Sequence, residues 1–334
     1  MKKKILIYYY NHEYYRNYFK SGFLNGLSHH YDIEIMLGTK FNKEEYEKIR
    51  VENKGKYIVH YHAANNQSNE NRSKILKHMF FLRWFESRNR SDALFIKKDR
   101  LSLKWKIIYY CLSTPTIIAR VIILLANKFI PIDEKLGGLI KNIQPHVICI
   151  PSNLSHYVTL DFVKIGKLLG IKICSIVAGW DNLVSKGAII ENPDSVVVWG
   201  EQMLNEAKKV QLIPESKIRI IGTPRFEHYF DLNKKDNYKQ ELYRNYGIPT
   251  HHKLILVAGS NFLFDILPVL KKLDSFIDES SDDGISVIYR PHPWGRPNDK
   301  EKDFREHGIN GWRSGKARPD SHCKHICIIF IGKI

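Results

Sequence analysis

The sequence predicts an α/β fold in which helices cover parallel sheets, and three observations carry that expectation. Apolar runs of strand length alternate with helix-like segments from residue 4 to residue 290. Three of those runs end in distinctive turns: Gly179-Trp180-Asp181-Asn182-Leu183-Val184-Ser185-Lys186-Gly187, Gly222-Thr223-Pro224-Arg225-Phe226-Glu227 and Tyr289-Arg290-Pro291-His292-Pro293. A chain of 334 residues is also too long for one small core, so two domains are expected.

In order, residues 4–10 read as a first strand, 14–28 as a helix, 32–37 as a second strand and 57–61 as a third. A basic aromatic insertion occupies 72–130. The βαβ grammar returns with helix 133–143, strand 146–150 after Pro145, helix 157–169 and strand 171–177. The first domain is therefore expected over 1–192, with a hinge near Asn192-Pro193. The second, over 193–334, opens with strand 195–199 and helix 201–210 after Gly200. Strand 217–221, helix 235–246, strand 253–258, helix 262–277 and strand 284–290 follow. From Arg296 onward the alternation stops, so this domain reads as incomplete or irregular.

Composition narrows the class. Hydrophobic content of 43% with 26% charged residues is globular rather than disordered. Five cysteines, odd in number and mostly inside apolar runs, fit a reducing compartment and no disulfide framework. The start, Met1-Lys2-Lys3-Lys4 followed by a short apolar run and tyrosines, lacks the features of a signal peptide, so a cytoplasmic location is expected. Basic residues outnumber acidic ones 52 to 35, and eleven of them fall between Arg72 and Lys106, where Phe80, Phe81, Trp84, Phe85, Phe95 and Trp105 are interleaved. Such a segment suits an anionic membrane surface, and the plainer reading is a solvated helical face. A helix from Pro115 to Phe129 spans roughly 22 Å, short of the ~30 Å hydrocarbon core, and carries Arg120, so an interfacial or buried helix is expected.

In open parallel sheets, ligands bind at the carboxyl ends of strands, where all three turns fall. Arg290 and His292, stiffened by Pro291 and Pro293, suit a pyrophosphate. Gly222 allows close backbone approach and Arg225 adds a cation. Ser260 and Asn261 follow Gly259 at a helix start whose N–H groups suit phosphate. Asp181 is a candidate general base or orienting group, and Lys186 a counter-charge for phosphate. The plainer alternative there is an Asx turn with Trp180 packed beneath it. His12 and Glu13, directly after the first strand, are further candidate bases, though Asn11-His12-Glu13 also reads as a helix N-terminus. His322-Cys323-Lys324-His325-Ile326-Cys327 lacks zinc-site spacing and there is no DxD motif, so no metal is expected.

Taken together, the Trp180 turn, Val198-Trp199-Gly200, the Gly222 turn and Arg290-Pro291-His292-Pro293 resemble bacterial surface-polysaccharide glycosyltransferases of the GT-B type. They are similar also to the CDP-glycerol glycerophosphotransferases that polymerise teichoic acids, over roughly residues 171–296. The resemblance implies two facing Rossmann-like domains, the first binding the acceptor and the second the nucleotide donor. It implies catalysis without metal or other cofactor, with His292 near the donor phosphates and Arg225 near the cleft. The expected activity is transfer of a glycosyl or glycerophosphate group to a glycan or lipid-linked acceptor, at the inner face of a membrane. A carboxylate or His (Asp181, Glu13 or His12) takes the acceptor proton, and Arg290, His292, Arg225, Gly222, Ser260, Asn261 and Lys186 bind substrate. A sugar-nucleotide epimerase and a non-catalytic, truncated transferase are the alternatives. No motif supports nucleic-acid recognition.

Overall fold

The structure, a computed structural model, describes residues 2–19, 21–62, 66–86, 101–114, 116–152, 157–186, 189–227, 230, 238–259, 266–279 and 284–290. Two compact units divide the chain at Phe230 and Asp231.

The first unit is built on seven parallel strands: β1 (Lys3–Tyr9), β2 (Tyr31–Leu37), β3 (Ile58–Tyr61), β4 (Val147–Ser152), β5 (Lys172–Val177), β6 (Ser195–Val198) and β7 (Ile218–Ile220). Their order across the sheet is β3-β2-β1-β4-β5-β6-β7, which reverses direction between β1 and β4. That reversal is where Rossmann-like sheets open a crevice at the carboxyl edge. β1 is central, so both of its faces are covered. Ile5, Ile7 and Tyr9 enter one core layer, while Leu6 and Tyr8 enter the other.

Gly38, just beyond β2, makes room for Tyr8: a Cβ there would fall 2.1 Å from the Tyr8 hydroxyl. Glu34 on β2 is buried but satisfied, bound by Lys4 at 2.7 Å and His60 at 2.6 Å.

After β1 a short helical turn, His12–Tyr14, passes into a π-helical turn, Tyr15–Phe19. The single helix expected over 14–28 is thus broken, because Gly22 adopts φ +85° ahead of α1 (Phe23–Ser28). α2 (Lys43–Glu52) was not expected. Its signal is a capping box, in which Asn42 Oδ1 accepts from the Glu45 N–H and Glu45 Oε2 accepts from the Asn42 N–H, both at 2.8 Å.

The chain then makes three helices, α3 (Asn66–Glu86), α4 (Leu103–Ser113) and α5 (Thr116–Phe129). They share a core of Met79, Phe81, Leu82, Phe85, Tyr109 and Ile123. The expected basic surface over 72–106 is therefore corrected in part. Arg72 is 4% exposed and paired with Asp161, and the aromatic residues Phe81 and Phe85 face inward. Residues 87–100 lie outside the described set. α6 (Glu134–Ile143) is capped by Asp133, whose Oδ1 accepts from the Leu136 N–H at 3.1 Å. α7 (Tyr157–Leu169) packs against β4 and β5.

The expected domain boundary at 192/193 is also corrected. β6 pairs with β5 (Cys174↔Ser195) and β7 with β6 (Val196↔Ile218), so both strands extend the first sheet. Val196 and Val198 bury beside Val177, Leu183, Met203 and Ala207. What reads as a linker is a tight connection: the Asp194 carboxylate accepts from the Ile173 N–H at 3.0 Å and from Lys172 at 2.9 Å.

The second unit contains α10 (Tyr238–Tyr246), β8 (Lys253–Ala258), α11 (Leu267–Glu279) and β9 (Ile285–Arg290), after α8 (Asn182–Ser185) and α9 (Glu201–Lys209) of the first unit. β8 and β9 are parallel, with Ala258 opposite Arg290. Leu270, Ile277, Val287 and Tyr289 form its core. The tail from residue 291 lies outside the described residues.

Candidate functional site

Turns following β1, β5, β6 and β7 supply the candidate residues of the first unit, all from the carboxyl edge of the sheet. Asn11 caps the turn after β1, its Oδ1 accepting from the Tyr14 N–H at 2.9 Å. This fixes His12 and Glu13 at that edge. After β7, Gly222 takes φ +78°, which favours glycine, and lets the chain turn into the 3-10 segment Pro224–Phe226. Thr223 Oγ1 caps that segment by accepting from the Arg225 N–H at 3.4 Å.

The two ends meet. Arg225 Nη1 lies 3.6 Å from Glu13 Oε1, with the side chains 37% and 50% exposed. Sequence reasoning placed these residues in different domains; the structure places them in one unit. Beneath them is Tyr18, only 1% exposed, whose hydroxyl makes no hydrogen bond of normal geometry although Thr223 and Trp199 lie beside it. Burial pushes the Tyr18 phenol up to about 12, against the pull of Thr223 and Arg225. It is therefore neutral near pH 7 and able to donate. Trp199 is fixed from β6, its indole N–H donating to the Val177 carbonyl at 2.7 Å and its ring meeting Phe226 edge-on at 5.7 Å. Burial, then Glu13, raises the Tyr14 phenol, and Asp181 adds to that effect.

Asp181 is heavily engaged. Ser185 donates to its Oδ2 at 2.6 Å and Lys186 lies 3.6 Å from the same atom. With the Asn182 amide nitrogen turned toward it, Asn182 donates to Oδ1 at 3.2 Å while its oxygen accepts from the Gly179 N–H at 3.0 Å. These donors make Asp181 an organiser of the turn, with Lys186 as its counter-charge. Trp180 is not packed beneath that turn, being 63% exposed. His12 faces the other way, 3.3 Å from Glu45 and against the Phe41 ring.

Across the sheet, Arg72 and Asp161 form a buried ion pair, with the guanidinium 5.3 Å over the Tyr157 ring. Burial raises the Asp161 carboxyl to about 6. His62 bonds Asp133 at 3.1 Å and burial lowers its imidazole. These groups are closed onto one another and tie α3, α6 and α7 together.

In the second unit, Arg290 ends β9 exposed, and its carbonyl accepts from the Gly259 N–H at 2.7 Å. The Gly259 turn and Arg290 therefore share one strand edge. Ser260, Asn261 and His292 lie outside the described residues. Among the described residues, no three His, Cys, Asp or Glu side chains gather closely enough to hold a metal ion.

Tyr14 and Tyr18, which the structure gathers near Glu13, were not singled out from the sequence. The tyrosine spacing after β1 was the available signal, four residues apart on one face of a helical turn.

The sequence matches no protein family and no curated protein. Solved structures are more informative about the fold. The chain is similar to a glycosyltransferase from Rickettsia africae (TM-score 0.50, 12% identity, covering 91% of this chain and 64% of that one). It is similar also to a protein assigned as a UDP-N-acetylglucosamine 2-epimerase from Listeria monocytogenes (TM-score 0.50, 8% identity, covering 99% and 69%). The chain thus spans less than two thirds of the Rickettsia protein's length. This likeness is one of fold, and the fold is α/β, Rossmann-like and of the GT-B type.

Proposed function

We propose that the chain acts on a nucleotide-activated sugar or alditol, transferring its glycosyl or glycerophosphate group to a hydroxyl of a glycan or lipid-linked acceptor. The observation that carries this reading is the Glu13–Arg225 pair, beside the buried Tyr18, at the carboxyl edge of a Rossmann-like sheet. In glycosyl transfer, the acceptor oxygen attacks the anomeric carbon while Glu13 accepts its proton. The bond from that carbon to the nucleotide's phosphate oxygen breaks, and its electron pair leaves with the phosphate, inverting the centre. Arg225 orients the Glu13 carboxylate, and the buried Tyr18 packs next to the pair as its support. Asp181 and Lys186 hold the neighbouring turn. In the second unit, Arg290, Ser260, Asn261 and His292 bind the donor phosphates, where a cation and backbone N–H groups offset the leaving charge.

A 2-epimerase of the same fold is the second reading, favoured by the Listeria neighbour. Incubation with labelled UDP-N-acetylglucosamine, with and without a lipid-linked glycan acceptor, separates the two. A new glycoside supports transfer, whereas the inverted sugar without acceptor supports isomerisation. Calorimetric titration with CMP, CDP, UDP and GDP, repeated on His292→Ala, tests the donor site. Absence of binding by all four nucleotides, together with no turnover, overturns both readings.

A further inference from the structure

A concentration of exposed apolar side chains lies far along the sequence from the candidate site, on α4 and α5. On α5, Ile117, Val121 and Leu124 follow one another at helical spacing along a single face, with Phe129 at its end. Leu124 is 65% exposed and Phe129 76%. On α4, Leu103, Ile107 and Tyr110 are exposed likewise.

α5 cannot hide this face by rolling inward. Its opposite face is already committed, since Ala119 is fully buried and Ile123 packs into the core shared with Met79, Phe81, Leu82 and Phe85. The helix is apolar on two sides and has core for one.

The charge around the patch selects its partner. From Leu101 to Ile132 there is no Asp or Glu, while Lys104, Lys106, Arg120 and Lys128 are all present. Two copies joined through this face would bring those cations together. An anionic bilayer would instead offset them, at about 1 kcal/mol per basic residue near the surface. Trp105 and Tyr110 are the residue types that settle at the headgroup level.

Length decides the mode of contact. Among the described residues no single helix is long and apolar enough to cross a membrane, although α4 and α5, bent by 99°, meet the composition test together. α5 alone reaches roughly 21 Å at 1.5 Å per residue, against a hydrocarbon core of ~30 Å.

We propose that α4 and α5 form a docking surface for an anionic lipid bilayer, lying in its interface with the apolar face inserted and the lysines among the headgroups. The sequence pointed to membrane contact in the basic aromatic stretch 72–106 and offered the helix from Pro115 to Phe129 as interfacial or buried; the exposed residues place the proposed contact on 103–129.

The test is co-sedimentation with phosphatidylcholine vesicles, with and without about one third phosphatidylglycerol. The expected result is binding at least about tenfold stronger to the anionic vesicles, lost on Leu124→Ser/Leu125→Ser and reduced on Lys104→Glu/Lys128→Glu. Both pairs are exposed, Leu125 at 51% beside Leu124, and circular dichroism checks their folding. Should the leucine variant not fold, quenching of wild-type tryptophan by brominated lipid, compared with Trp105→Phe, gives the same answer. Equal binding by all variants, no binding to anionic vesicles, or a dimer that Leu124→Ser dissociates in their absence overturns the proposal. None of these readouts depends on the catalytic reading, so either can fail alone.

Discussion

Arg225 reaches Glu13 at 3.6 Å although their strands, β7 and β1, are not neighbours. β4, β5 and β6 lie between them, so the strands stand about 19 Å apart at ~4.8 Å per step. The turns after β1 and β7 close that distance between them over the carboxyl edge. The pair is consequently a property of two loops, and its removal bears on chemistry more than on stability.

Glu13→Gln is therefore expected to lower kcat for sugar transfer or isomerisation by about a hundredfold or more, the usual scale for losing a general base. Thermal melting should barely move, because both side chains are more than a third exposed. Steady-state kinetics and a melting curve on the same preparation check both halves. An unchanged kcat removes Glu13 from the mechanism.

Tyr18 separates packing from function. Tyr18→Phe removes a buried hydroxyl with no normal hydrogen bond, so stability is expected to stay level or rise by up to about 1 kcal/mol. Tyr18→Ala also removes the ring and should cost about 3–5 kcal/mol. Urea denaturation measures the difference. Weakened ligand binding by the stable Phe variant would give the buried hydroxyl a part in holding the site.

Asp161 gives a pH signature. Its folded value, about 6, lies above the ~3.9 of an unfolded chain, so native protein holds more protons in that window. The stability this group contributes is full below pH ~4 and is lost as pH rises through about 6. Melting temperatures of Asp161→Asn, which stays neutral, should lack that decline when compared with wild type from pH 4 to 8. Arg72→Leu leaves the carboxylate buried and unpaired, and is expected to cost about 3–5 kcal/mol.

At Gly38 the expectation is steric. A methyl group there would meet the hydroxyl of Tyr8, whose ring is buried and packed 4.7 Å from that of Phe162, so it cannot swing aside. Gly38→Ala should destabilise by about 1–3 kcal/mol. Gly38→Ala combined with Tyr8→Phe should recover part of that loss, as chemical denaturation would reveal.

Much of the first sheet was legible because its strands are buried on both faces. The run Ile5–Tyr9 shows no charged residue, and the interiors of β4 to β6 are likewise uncharged, with Ser175 the polar residue inside β5. The unit boundary was not legible. Asn192-Pro193 has the composition of a linker, and only the pairing of Ser195 with Cys174 reveals that the sheet continues. For the same reason Arg225 looked like a donor-side residue. Its partner Glu13 is brought to it by a path over the sheet that no local pattern encodes. The exposure of Trp180 was equally hidden, since a tryptophan beside an Asx turn carries no mark of which side it faces.

The π-helical turn from Tyr15 to Phe19 sets Glu13 and Tyr18 in rotational phase. Glu13 precedes it and is tied to β1 through Asn11, whereas Tyr18 rides within it. Replacing the π-helical winding there by ordinary α-helical winding, with the number of residues kept, would turn Tyr18 away from Thr223 and leave Glu13 where Asn11 holds it. The carboxylate and the phenol can thus be retuned separately, and the winding of a single turn sets the angle between them.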